Sequence, residues 1–246
     1  NIAFLKKLRH LLDQYPDTTT VGEVGCDFAL ETMAAYTQGN DKLHMCYSFD
    51  LLTHDSSMNH IRKTMETIEA SLGDGWPCWS TGNHDVERVA TRWGKNYNPV
   101  AKSKIYMAML LTLRGSVCLY QGEELGLPEA ELSFDQLVDP FGIAFWPEFK
   151  GRDGCRTPIP WKNELLGGFT QSHQPWLPIA KEQRPLAVSV QEGNRHSVLH
   201  AYRDFLHVRR NHPELRHGEI EFLYHNDTTL TFLRSYQNKR LYVAIN

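Results

Sequence analysis

Along the 246 residues of the chain, the period of the apolar positions changes repeatedly, and each change marks a new element. Leu5, Leu8, Leu11 and Leu12 fall at helical spacing between Lys6, Lys7, Arg9 and His10, which predicts an amphipathic helix over 2–15 that ends at Pro16-Asp17. The β-branched run Thr18-Thr19-Thr20-Val21 before Gly22-Glu23 predicts a strand, and alternation through Met45, Tyr47 and Phe49 predicts another over 43–52. Met58, Ile61, Met65 and Ile68 line one face of a helix predicted over 56–71, which Gly73 closes. A strand over 76–81 follows. The next helix, over 100–113, carries Met107, Leu110, Leu111 and Leu113 densely enough to be largely buried, and Gly115 stops it. A strand over 116–120 completes the run.

The stretch 128–198 holds most of the prolines and few periodic segments, and is too long for an ordinary connection, so it reads as a functional loop or a small inserted subdomain. One more helix is predicted over 199–208. Alternating runs at 220–224 and 230–233, with turns at Asn226-Asp227 and Gln237-Asn238, predict antiparallel strands. The expected organisation is an α/β catalytic domain over 1–214 and the start of a β domain over 215–246. Only four strand-helix units precede that β segment, whereas a closed (β/α)8 barrel needs eight. No repeat of 20 to 50 residues interrupts this order.

Composition narrows the function classes. A hydrophobic content of 41% is enough for a sizeable core. A formal net charge of -3, with dispersed Lys and Arg, offers no basic surface for a phosphate backbone, so nucleic acid is not an expected partner. No apolar stretch reaches the ~18 residues of a membrane helix and no signal-peptide pattern opens the chain. The five cysteines lie at 26, 46, 78, 118 and 155, too far apart for Cys-x-x-Cys pairing; they read as thiols packed as small apolar residues and point to a reducing cytoplasm. The twelve histidines lack ligand spacing, and neither a metal nor a cofactor is expected.

Candidate chemistry collects at strand ends. Thr81-Gly82-Asn83-His84-Asp85 follows the apolar run Trp76-Pro77-Cys78-Trp79, and Glu23 ends the strand of 18–23 in the same way. A site assembled from successive βα units places its chemistry there. Gln121-Gly122-Glu123-Glu124 is a third polar strand end, whose acids read more simply as residues that hold a turn. Asp50 is read as structural. Trp146, Trp161 and Trp176 offer flat rings for a ligand to stack on, or pin the long loop to the body of the protein.

Four motifs taken together resemble the α-amylase superfamily of glycoside hydrolases, in its α-glucosidase and oligo-1,6-glucosidase branch. They are Val21-Gly22-Glu23-Val24, Gly82-Asn83-His84-Asp85-Val86-Glu87-Arg88, Leu119-Tyr120-Gln121-Gly122-Glu123-Glu124-Leu125-Gly126 and Gly151-Arg152-Asp153-Gly154-Cys155-Arg156-Thr157-Pro158. The resemblance implies the C-terminal half, strands five to eight, of a (β/α)8 TIM barrel followed by part of an antiparallel β domain. It implies Glu23 as the general acid/base after strand five and Asp85 as the carboxylate that stabilises the oxocarbenium-like transition state. It places His84 and Arg152 against the sugar of the -1 subsite, and Phe49, after strand six, as a wall near the acceptor sugar.

The family's nucleophile, an aspartate in a segment like Gly-Phe-Arg-x-Asp after strand four, has no counterpart in this sequence. On the residues alone, Glu23 and Asp85 could themselves be acid and nucleophile, since two carboxylates are the minimum for glycoside cleavage. The resemblance makes Asp85 the third acid instead. It implies a retaining α-glucosidase that releases glucose from the non-reducing end of short α-glucosides, inactive without the nucleophile-bearing strand. A sucrose isomerase or trehalose synthase-like transglycosylase, and a non-catalytic amylase-like carbohydrate-binding module, are the alternatives. A half-barrel leaves two sheet edges open, so beside the saccharide substrate the expectation is either a second chain carrying the remaining strands as partner, or that these residues belong to a longer chain.

Overall fold

The computed structural model describes residues 1–94 and 98–246, which gather into two compact units. The first comprises residues 1–80, 109–118 and 209–246. At its centre β1 (Val21–Glu23), β2 (Met45–Tyr47), β3 (Pro77–Trp79) and β4 (Ser116–Val117) form a parallel sheet in sequence order. The register pairs Glu23 with Tyr47, Tyr47 with Cys78 and Trp79 with Val117, so successive strand ends line up. Gly22 permits the close approach of β1 and β2, because a Cβ there would lie 2.6 Å from Cys46 Sγ.

The helices around this sheet are α1 (Ile2–Leu12), α2 (Ala29–Thr37) and α3 (Met58–Leu72). α3 begins where Ser57 Oγ accepts from the His60 N–H at 3.2 Å and ends at Gly73, whose φ of 56° an L side chain rarely adopts. Its predicted face, Met58, Ile61, Met65 and Ile68 together with Leu72, is fully buried. α1 has the predicted amphipathic pattern, yet no residue in it is buried and Phe4 and Leu11 are exposed. The sequence pattern missed α2, whose buried residues Met33, Ala34 and Thr37 include a small and a polar side chain and so leave no clear apolar period.

The strands are shorter than the apolar runs predict: 18–23 reduces to 21–23, 43–52 to 45–47 and 116–120 to 116–117. Side-chain bonds take over part of the pairing at two of these ends. Thr20 N and Oγ1 meet His44 Nδ1 before β1, and after β2 the Ser48 hydroxyl donates to the Asp50 carboxylate in a local turn. Asp50 is thus bonded within its own loop.

β5 (Glu219–His225), β6 (Leu230–Tyr236) and β7 (Lys239–Ile245) form a separate antiparallel sheet in the same unit. The first predicted turn is closed by Asn226 Oδ1, which accepts from Thr228 N and Thr229 N at 2.9 and 2.8 Å, and the second by Gln237 at φ 53°.

The second unit comprises residues 81–108 and 119–208, with α4 (Val89–Arg92), α6 (Pro140–Ala144) and α7 (Val188–Glu192); α5 (Pro99–Thr112) and α8 (Val198–Asn211) begin in it. Much of 128–198 is irregular, held by a cluster of Ala130, Leu132, Leu137, Leu177 and Ala180 and by buried amides. Gln183 Nε2 donates to Pro128 O at 2.7 Å, and Gln191 Nε2 to Leu125 O and Leu186 O at 2.8 Å each. These bonds satisfy loop carbonyls that have no ladder partner.

Cys46, Cys78 and Cys155 are buried as packed thiols, and burial pushes the Cys78 thiol up to about 12; Cys26 and Cys118 are exposed, against the expectation for them. Among the described residues no helix is long and apolar enough to cross a membrane.

Candidate active site

In the second unit, the chain leaving Ser80 turns sharply through Thr81–Asp85. Asn83 Oδ1 accepts from the Asp85 N–H at 2.8 Å, an Asx-type closure that presents His84 and Asp85 to solvent. Their side chains are 57% and 40% exposed, so the pair is open to a ligand. Three cationic or titratable groups meet one oxygen, Asp85 Oδ1: Arg156 Nη2 at 2.8 Å, Arg152 Nη1 at 3.2 Å and His84 Nε2 at 3.5 Å. Arg156 also donates from Nε to His84 O at 2.7 Å, clamping both residues of the turn.

Arg152 is itself fixed. Its Nε lies 2.9 Å from Asp139 Oδ2 and its Nη2 2.8 Å from Asp139 Oδ1, while its own backbone N–H donates to Oδ2 at 2.8 Å. Asp139 is buried and caps α6 by accepting from Phe141 N, and the guanidinium beside it holds its carboxyl well below the usual carboxylate range. The Arg152 guanidinium also stands over the Phe141 ring, 5.3 Å from its centroid. The structure therefore brings together the predicted residues His84, Asp85 and Arg152.

Sequence reasoning missed Arg156 and Asp139 as parts of this constellation. Arg156 was visible as the second arginine of the 151–158 motif, whereas Asp139 carried only the weak signal of an acid before Pro140 at a helix start.

The buried side of the same turn is also built from charge. Arg92 donates to Thr81 O and Glu87 O, and Arg88 donates from Nη1 to Gln121 O at 2.6 Å and from Nη2 to Cys155 O at 2.8 Å. Glu129 accepts the Arg88 backbone N–H at 2.8 Å, and burial pushes its carboxyl up to about 7. Glu123 is pushed up to about 7 for the same reason.

In the first unit, Glu23 is the last residue of β1 and is exposed. Phe49, two residues past β2, lies with its ring against Gly25, where a Cβ would approach Phe49 Cε2 to 2.9 Å, and meets Tyr47 edge-on at 5.4 Å. The ring thus packs beside the segment that continues from Glu23. Among the described residues no cluster of His, Cys, Asp and Glu could hold a metal ion.

A family model described as alpha amylase, catalytic domain, matches residues 1–218. The chain belongs to the alpha-amylase family. It is 46% identical to a probable alpha-glucosidase of Rhizobium meliloti (strain 1021), over 100% of this chain and 45% of that protein. It is 25% identical to an oligo-1,6-glucosidase of Halalkalibacterium halodurans, over 99% of this chain and 49% of that protein. Among solved structures, the alpha-glucosyl transfer enzyme XgtA superposes with a TM-score of 0.94 at 49% identity, covering 99% of this chain and 45% of that one. The trehalulose synthase MutB from Pseudomonas mesoacidophila MX-45 shares the fold, with a TM-score of 0.86 at 23% identity over 100% of this chain and 50% of that one.

The chain spans about half the length of these alpha-amylase relatives. Its four parallel strands with their helices are part of the family's TIM barrel, and β5–β7 are the separate antiparallel sheet that the resemblance implied.

Proposed function

We propose that this chain supplies the acid/base and the transition-state-stabilising half of the site of a retaining α-glucosidase acting on short α-glucosides. The observation that carries the reading is the fastening of Asp85: two guanidinium groups converge on Oδ1 while the side chain stays open beside His84. A carboxylate held by one oxygen keeps the other for a sugar ring and its developing positive charge. Membership of the alpha-amylase family and the 46% identity to a probable alpha-glucosidase support the same reading.

In this mechanism a carboxylate nucleophile from outside the chain attacks the anomeric carbon as Glu23 gives its proton to the departing glycosidic oxygen. The glycosyl-enzyme ester is then hydrolysed: Glu23, now a carboxylate, takes a proton from water, whose oxygen bonds to the anomeric carbon and releases the nucleophile. His84 and Arg152 hydrogen-bond the -1 sugar, and Phe49 walls the acceptor side. The bond changes need neither metal nor cofactor.

A mechanism-based fluoroglycoside tests the assignment. The label falls on a residue outside this chain if Asp85 is the stabilising acid, and a label on Asp85 overturns it. Robust hydrolysis of an aryl α-glucoside by the purified 246-residue chain, abolished by Glu23→Gln, would overturn the need for a further strand. A second reading, net transfer of glucose rather than hydrolysis, is favoured by the 49% identity to an alpha-glucosyl transfer enzyme. Product analysis on sucrose, maltose and isomaltose separates the two, because transfer leaves new disaccharides and hydrolysis leaves glucose.

A further inference from the structure

Beneath the turn that carries His84 and Asp85 lies a carboxyl group for which the proposed reaction has no use. Glu123 is 6% exposed. The space beside it, lined by Thr81, Tyr106, Tyr120 and Tyr202 among others, amounts to about 10 Å³, room for no more than one water. A carboxyl so enclosed must find its partners in the protein. The Thr81 hydroxyl donates to Oε1 at 3.1 Å and the Tyr120 N–H approaches Oε2 at 3.3 Å. Of the charged groups around it, Arg92 favours ionisation and Glu124 opposes it.

The contact continues into the next residue. A Cβ on Gly82 would lie 2.6 Å from Glu123 Oε1, so only glycine lets the backbone rest against the carboxyl. Thr81 is 1% exposed, and its carbonyl accepts from the buried Arg92. Thr81 and Gly82 are therefore gripped from the interior at three points, just before the chain turns into His84-Asp85.

We propose that Glu123 is a positioning residue: through the Thr81 hydroxyl and the Gly82 backbone it sets the point at which the chain enters the His84-Asp85 turn. The catalytic consequence rests on the reading of Asp85 given above, whereas the positioning does not. A shift of even a fraction of an ångström at the root of the turn moves the Asp85 carboxylate against the sugar it must face.

Glu123→Gln keeps the shape but offers one acceptor where two N–H or O–H donors point, and Thr81→Val removes the hydroxyl. Hydrogen exchange of the purified chain reads the result without turnover. Both variants should raise exchange of the amides of 82–88 about tenfold while those of α8 keep their wild-type rates. Gly82→Ala, which strikes the carboxyl from the other side, should do the same.

In the full-length enzyme, Glu123→Gln should lower kcat for maltose about tenfold with KM within about twofold, and Thr81→Val should add nothing to it. Unchanged exchange at 82–88, or a rise shared equally with α8, overturns the proposal. If the wild-type enzyme turns over no α-glucoside, the functional reading fails while the exchange result still decides the positioning.

Discussion

Arg152 meets Asp139 as a two-point fork, with Nε 2.9 Å from Oδ2 and Nη2 2.8 Å from Oδ1, and only its remaining Nη1 reaches toward Asp85. A planar guanidinium can divide itself between two carboxylates in this way; an ammonium cannot. Arg152→Lys in the full-length protein should therefore lower kcat/KM for maltose by about a hundredfold while the near-ultraviolet circular dichroism stays native. The Asp139 pKa is depressed, so its pairing is present above the unfolded carboxylate value and lost only as pH falls through the folded one. The anchoring should thus be constant from about pH 5 to about pH 9.

Arg156 acts on the same oxygen from the other side, and adds the His84 carbonyl at 2.7 Å. It stands outside the sugar contacts assigned to Arg152, so its removal should disturb the orientation of Asp85 more than the binding of substrate. Arg156→Met is expected to reduce kcat by about tenfold with little change in KM, measured on an aryl α-glucoside. A change confined to KM would instead make Arg156 a substrate contact.

Much of this arrangement was legible from the chain because its elements follow strong local rules. Met58, Ile61, Met65 and Ile68 could bury only as one helical face, and Asn226-Asp227 and Gln237-Asn238 could only turn. His84 and Asp85 were found because they follow an apolar strand. What stayed hidden depends on contacts remote in sequence. Asp139 meets Arg152 across 13 residues and Arg156 meets Asp85 across 71, distances over which no periodicity carries information. The short strands escaped for a related reason: Thr20 and Ser48 suit a strand by type, but the Thr20 N–H and the Ser48 hydroxyl turn to side chains, while the Thr20 carbonyl still accepts from Met45 N.

Burial pushes Glu123 and Glu129 up to about 7, and this gives stability a slope in pH. The folded pKa exceeds the unfolded one, so the folded state binds more protons between the two values. The contribution is complete below the unfolded value, near 4.5, and is lost as pH rises through about 7. It is on the order of 3 kcal/mol per group. Thermal unfolding of the purified chain should fall in midpoint from about pH 5 to about pH 8, and Glu129→Gln, which keeps an acceptor for the Arg88 N–H, should flatten part of that slope. A midpoint that rises over the same range would contradict the burial of these acids.

Arg234 illustrates a buried cation that works through carbonyl groups. It is 0% exposed, donates from Nη1 to Thr112 O at 2.5 Å and from Nη2 to Gly218 O at 2.8 Å, and so satisfies the last turn of α5 from a strand of the β sheet. Arg209 serves the same helix end through Leu111 O at 2.6 Å. Arg234→Met fills the space but strands two buried acceptors, which should cost on the order of 3 kcal/mol. Urea unfolding followed by tryptophan fluorescence measures this, and a loss below about 1 kcal/mol would mean that water replaces the guanidinium.

Among the described residues the parallel sheet ends at β1 and β4, each paired on one side only. Val21 on β1 is 50% exposed, and α1 nearby in sequence leaves Phe4 67% exposed. Unpaired strand edges flanked by apolar side chains seek another strand. The chain spans about half the length of its alpha-amylase relatives, and we propose that strands of the kind those relatives also carry cover these edges. The purified chain should therefore bind a hydrophobic dye and self-associate. Refolding with a polypeptide carrying the family's first four βα units should give a one-to-one complex, extinguish the dye signal and yield α-glucosidase activity that depends on Glu23. A monodisperse chain with no dye binding, indifferent to the added polypeptide, would show that its edges are already satisfied.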